Sequence, residues 1–289
     1  MGIVFVFPIE VSRFKIRKTF ENMKADIKQL KRDIKAAVMI NKTEAFNLAL
    51  DGLLLLPGVS SNDPMSSSFM DQVIFPVGEM LSELPPDQLK TLLTHNLAAG
   101  RAIGSVALAH HYAYKNDTSQ ADITYSANDP RSEVRLALAE TLEKLTEHSP
   151  ERILKLGKQW IKMQSPRLRI TALKLFPKLI TYHDEQIFNL LQQLNKEDDK
   201  NVKAEMVNTL NHIARAGSPT FVLNLLSSWS EEKEPNTWVI CRTLTASCLS
   251  SYQGEIKFIL RKIQPKTQEN NLISNTLKAL KQHGIEIML

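Results

Sequence analysis

The chain has 289 residues, with 36 Lys and Arg against 31 Asp and Glu, 43% hydrophobic side chains and two cysteines. This is the composition of an ordinary soluble globular chain, long enough to bury a core that needs neither disulfides nor a bound metal. The formal charge of +5 permits a nucleic-acid partner without demanding one.

The opening segment, MGIVFVFPIE, has no basic residue before its apolar stretch and no small-residue cleavage site, so it is a poor secretory signal. It reads as a short strand or a packed arm. From Ser12 to Ile40 the residues Phe20, Met23, Ile27, Leu30, Ile34 and Val38 follow steps of three and four, one face of a long helix. Lys24, Lys28, Lys31 and Lys35 repeat those steps on another face. That stripe could meet phosphates or an anionic lipid surface, or stand as a solvated face beside Asp26 and Asp33. Residues 1–50 hold ten basic and five acidic side chains, whereas residues 51–126 hold three and eight. The longest apolar runs, such as Leu53 to Leu56, fall far short of the roughly 20 residues needed to cross a bilayer, so no membrane span is expected.

Further on, Arg101, Arg135, Arg169 and Lys203 stand 34 residues apart, each shortly after a loop-like stretch such as NDPRSE or QSPRL. Counting each as position zero, positions +3, +4, +7 and +10 are largely apolar or small. They read Leu138, Ala139, Leu142 and Leu145, then Ala172, Leu173, Phe176 and Leu179, then Met206, Val207, Leu210 and Ile213. Second amphipathic segments lie between them: ERILKLGKQWI, DEQIFNLLQQL and SPTFVLNLLSSW. The unit is a helix pair, and pairs of this length bury their faces by stacking. The expected fold is all-α, a right-handed superhelical solenoid of HEAT-like helix pairs over residues 95–289. Residues 1–94 form a divergent helical cap that carries the basic amphipathic helix.

Position zero lies at the edge of the apolar stripe, so its cations are expected to be structural, pairing with loop acids such as Asp129 and Asp198. Positions +2, +5 and +9 point away from that stripe if each residue turns about 100°. Position +9 reads His110, Lys144, Lys178 and His212; +5 adds Glu140, Lys174 and Asn208; +2 adds Thr171 and Glu205. The column is basic or basic-capable in every unit, which suits a phosphate track. Trp160, Trp229 and Trp238 lie beside loops, as inter-repeat packing or as aromatic platforms at a groove rim. Cys241 and Cys248 are seven apart on one helical face and read as reduced thiols, with the cytoplasm as the expected compartment.

The stretches NDPRSEVRLALAETL and QSPRLRITALKLF are similar to the HEAT pattern. The stretch from Asn201 to Leu249 resembles the C-terminal repeats of the DNA alkylation repair family of HEAT-like glycosylases. Asn208, Asn211, Trp229, Asn236, Thr237, Trp238 and Arg242 occupy its recurring places. The resemblance implies double-stranded DNA as partner and hydrolysis of the glycosidic bond of alkylated purines, with Lys144, Lys174, Lys178, His212, Trp160, Trp229, Trp238 and Arg242 at the groove. A carboxylate expected shortly after a groove tryptophan is replaced here by Gln164 and Lys233, so no catalytic residue is assigned. Glu140 and Glu205 are the replacements the outward positions offer. The alternative is a non-catalytic scaffold for another protein. No zinc, nucleotide or other cofactor motif occurs, so no cofactor, metal or membrane partner is expected.

Overall fold

The computed structural model describes residues 27–37, 40, 43–52, 65–115, 120–267, 270–282 and 284–287. The expected N-terminal strand or arm, and Phe20, Met23, Lys24 and Val38 of the first helix, lie outside them. The described chain is helical throughout and contains no strand. It packs as two compact units divided near residues 127–138: the first takes the residues up to Ser126 and Pro130–Leu138, the second Ala127–Asp129 and the residues from Ala139 on. Compactness therefore divides the chain at a different place from the repeat pattern, which begins near residue 95.

In the first unit, α1 (residues 27–37) buries Ile27, Leu30, Ile34 and Ala37, and α2 (Thr43–Asp51) follows it. The next run, α3, comprises Ser67–Phe69, a π turn at Met70–Ile74, and Phe75–Leu81. It is followed by α4 (Pro86–Leu93), α5 (Ala98–Tyr114), α6 (Gln120–Ala127) and α7 (Ser132–Leu145). Helix α5 is the axis of this unit, buried from Ala98 to Ala113 on almost every side and packed against α3 and α4. Such close approach needs small residues. A Cβ on Gly78 would stand 2.5 Å from Val106 Cβ, and one on Gly104 2.6 Å from Leu92 Cβ. Gly104 thus sets the close approach of α5 to α4, and a Cβ on Gly100 would stand 2.6 Å from His95 Nδ1. At the far end of α5, the Lys115 ammonium donates to the Ser82 carbonyl at 2.9 Å and closes the C-terminus of α3.

The second unit continues with α8 (Pro150–Trp160), α9 (Pro166–Gln192), a 3-10 turn (Gln193–Lys196), α10 (Lys200–Arg215) and α11 (Pro219–Glu231). It ends with α12 (Thr237–Leu244), α13 (Gln253–Ile263) and α14 (Asn270–Gln282). Proline opens α8, α9 and α11, where the missing N–H costs nothing and φ is preset. Asp199 opens α10 by accepting from the Asn201 and Val202 amides at 2.9 and 3.0 Å. Gly217, at φ 104°, ends it in the left-handed region. Helix α9 contains the expected pair as one run, broken by the non-helical backbone of His183 (φ −145°, ψ 47°).

From α9 to α12 each helix touches the next and the next but one: α9 meets α10 and α11, α10 meets α11 and α12, α11 meets α12 and α13, and α12 meets α13 and α14. Side chains reinforce the stacking. Thr171 donates to the Ala127 carbonyl at 3.1 Å, and Thr209 to the Leu173 carbonyl at 3.2 Å. The Lys266 ammonium reaches three carbonyls at the C-terminal end of α11, those of Ser230, Glu231 and Glu232, at 2.8, 3.1 and 2.9 Å. The 34-residue register also runs one unit past the four cations: counted from Thr237, positions +3, +4 and +7 are Ile240, Cys241 and Leu244, all buried.

Replacing Gly78 by Ala should lower stability. Overpacking against Val106 costs about 1–3 kcal/mol, more than the roughly 1 kcal/mol that alanine's helix propensity returns. A lower urea midpoint at unchanged slope is the expected observation.

Candidate interaction face of the repeat helices

The three position-zero arginines share one task. The Arg101 guanidinium donates to the His95 and Asn96 carbonyls at 2.9 and 3.3 Å, and that of Arg169 to the Met163 and Gln164 carbonyls at 2.8 Å each. Arg135 does the same to the Pro130 carbonyl at 3.2 Å. Each arginine reaches back five or six residues and ties the first turn of its helix to the loop that delivers it. Arg169 adds a two-pronged ion pair with Glu197, Nε to Oε2 at 2.7 Å and an Nη to Oε1 at 3.1 Å, in which the carboxylate side chain is only 7% exposed. The structural role expected of these residues holds. The acid partnering Arg169 is Glu197, one residue before the anticipated Asp198.

The outward column needs correction at position +2. Ala137 and Thr171 are buried at 0% and 1% exposure. A helix in a stacked array is flanked by neighbours on two sides as well as by its own partner, so its solvent arc is narrower than in a helix with one buried stripe. At +5, Lys174 is half-buried and its ammonium meets the Glu205 carboxylate of the next helix at 3.0 Å. At +9, Lys144 and His212 are exposed, Lys178 is half-buried, and the Lys178 ammonium is 2.6 Å from Glu147. That hydrogen bond raises the Lys178 pKa and holds the Glu147 carboxyl below its ordinary value. Glu231 is lowered in the same way by a hydrogen bond from Lys262. These clamps are complete at neutral pH and are lost as pH falls through the depressed glutamate pKa, when the carboxylates protonate.

The tryptophans divide. Trp160 and Trp229 are completely buried at 0% exposure, so neither has a face to offer a base; this overturns their assignment to a groove rim. They are the largest fully buried side chains of the second unit and fill it between helices. Trp238 is half-buried on α12, with the exposed Arg242 guanidinium 5.8 Å from its ring centroid. Of the motif residues, Asn236 is structural: its Oδ1 caps α12 at the Val239 amide (3.4 Å), its Nδ2 donates to the Glu197 carbonyl (3.3 Å), and its own amide donates to Asn195 Oδ1 (3.0 Å). Asn208 is exposed, and Asn211 is half-buried.

In the second unit, the solvent-facing arc of these helices therefore carries half-buried Ile170 and Trp238 at +1, Lys174, Asn208 and Arg242 at +5, and Lys144, Lys178 and His212 at +9. Glu205, nominated as a catalytic carboxylate, is closed by Lys174. Among the described residues no three His, Cys, Asp or Glu side chains stand together as a metal site, and no helix is long and apolar enough to cross a membrane. The cross-repeat pairs were missed from sequence, yet they carry a signal. Lys178 with Glu147, Lys174 with Glu205 and Lys262 with Glu231 all stand 31 residues apart, close to the repeat length. The chain matches no family model and no curated protein.

Replacing Arg169 by Met should cost about 3–5 kcal/mol, because Glu197 would keep a buried charge and two loop carbonyls would lose their donor. Lys178→Met, at a solvent-screened pair, should leave the denaturation midpoint nearly unchanged. Asn236→Ala should cost about 1–2 kcal/mol through loss of the cap. Urea titrations of the three variants check this ranking.

Proposed function

We propose that the chain is a HEAT-like repeat protein, its helix pairs stacked as a right-handed solenoid, that serves as a scaffold for another protein. The observation that carries this reading is the internal neutralisation of the column a DNA groove would need. Lys174 and Lys178 are each closed by a carboxylate of an adjacent repeat, and two of the three tryptophans are wholly interior. What remains in the solvent arc is mixed: apolar at Ile170 and Trp238, polar at Asn208, cationic at Arg242. Protein-binding surfaces have this character, with an aromatic and an arginine as anchors.

A second reading, a divergent or inactive relative of the alkylation repair glycosylases that binds duplex DNA in the cytoplasm, draws on one observation, the Trp238 and Arg242 pair at the surface. The two readings part under one set of variants. Photo-crosslinkers placed at Asn208 and, as a control, at exposed Asn224 on α11 should give a discrete protein adduct from the first position and none from the second. The adduct should disappear in Trp238→Ala/Arg242→Ala. Salt-dependent duplex binding that weakens in Lys144→Ala/Lys178→Ala would favour the DNA reading instead.

A further inference from the structure

Position +5 of the repeat carries a cation twice in the second unit, and the fold treats the two differently. Counted from Arg169, position +5 is Lys174 on α9, and its ammonium is met at 3.0 Å by Glu205 on α10, the helix that opens the next pair. At +5 of α10 itself stands the neutral, exposed Asn208. Counted from Thr237, position +5 is Arg242 on α12. The helix that follows α12 in this role is α14, which packs against it and reads NNLISNTLKALKQ, without one Asp or Glu in its length. The first cation therefore receives a carboxylate from the next repeat helix, and the second does not. Arg242 is exposed, and among the described residues its side chain has no ion pair or hydrogen bond. Its guanidinium rests 5.8 Å from the centroid of the Trp238 ring, one turn back on the same helix.

The completed pair shows what this position takes: a side-chain carboxylate borne on a neighbouring protein helix. Arg242 is prepared for the same kind of partner. An indole engages a guanidinium through its face and leaves N–H groups at its edge, where a carboxylate fits in two-pronged fashion. Arg169 uses that mode toward Glu197 within this chain. Resting on the ring also removes freedom that the arginine would otherwise lose on binding. A nucleic-acid backbone, by contrast, gains affinity by having several phosphates neutralised together. The lysines that would extend such a row, Lys174 and Lys178, are already closed by Glu205 and Glu147. One arginine beside a half-buried indole suits one carboxylate with an apolar neighbour, the pairing found at the anchors of protein interfaces.

We infer that Arg242 anchors one carboxylate of the partner protein, an Asp or Glu that stands one helical turn from an apolar residue seated on Trp238. This rests on the scaffold reading given above and adds the chemistry of the partner. The partner's acid takes the part at Arg242 that Glu205 takes at Lys174, and the single charge pair fixes which way the partner lies along α12.

The test uses the full chain and two fluorescein-labelled helical peptides, identical except that Phe at position i is followed by Glu or by Gln at i+4, titrated by anisotropy. At low salt the Glu peptide should bind at least ~5-fold more tightly than the Gln peptide. Arg242→Gln should erase that difference with unchanged circular dichroism, since the side chain is exposed, and Arg242→Lys should keep part of it. Trp238→Ala should weaken both peptides alike. Equal binding of the two peptides, binding of neither, or a difference that survives Arg242→Gln overturns the inference. So does a short DNA duplex that binds more tightly than the Glu peptide and is lost in Arg242→Gln. A gain of ~5-fold or more for the Glu peptide in Glu269→Gln also overturns it, because the chain would then supply the anion itself. Failure of the peptides beside a discrete Asn208 adduct removes the carboxylate and leaves the scaffold reading, whereas absence of the adduct removes that reading.

Discussion

An arginine seated on the carbonyls of the loop behind it ties down the start of three helices, α5, α7 and α9. Stacked helix pairs bury their faces only if successive pairs keep the same offset, and an offset that drifts by one residue rotates a helix by about 100°. The guanidinium ties the first turn of its helix to the loop carbonyls before it, those of His95 and Met163 being part-buried. Arg169 does this for two carbonyls and Glu197 together. The threonine bonds between helices, the buried Trp160 and Trp229, and the cross-repeat lysine pairs all presuppose that alignment.

The electrostatics of the second unit follow from the same offset. When helices repeat in register, residues about one repeat apart in sequence face each other in space. Charges of opposite sign at that separation find one another before any partner does. This closes two lysines of the column, Lys174 and Lys178, within the fold. Fold and function thus compete for the same lysines, and where both partners of a pair are present the fold takes them. Arg242 escapes the competition because α14, the repeat helix next to it, carries no carboxylate.

The helices were legible in the sequence because they rest on local signals: proline after serine at helix starts, the three- and four-residue steps of the buried stripe, and the recurring basic residue. Ile27, Leu30 and Ile34, and the +3 and +7 positions of each unit, stand where periodicity placed them, in the core, whereas at +4 Val207 is half-buried. What periodicity could not supply was the second dimension. A helical wheel gives each helix one inside and one outside, whereas Thr171 and Ala137 are enclosed by neighbours that a wheel does not contain. The same blindness assigned Trp160 and Trp229 to a rim, because an indole next to a loop in sequence can still lie at the centre of the packing between helices. The fifth unit at Thr237 went unnoticed because its first residue is not a cation.

The Lys266 ammonium, spread over the three carbonyls that end α11, alters how the far end of the molecule can come apart. In an array held only by nearest-neighbour contacts, the last helix frays first and the loss advances inward one repeat at a time. Here the segment just after α13 doubles as the terminus of α11, so α13 cannot detach without uncapping the helix before α12. Opening of α13 is therefore coupled to the end of α11, and amide exchange along the two helices is expected to be linked.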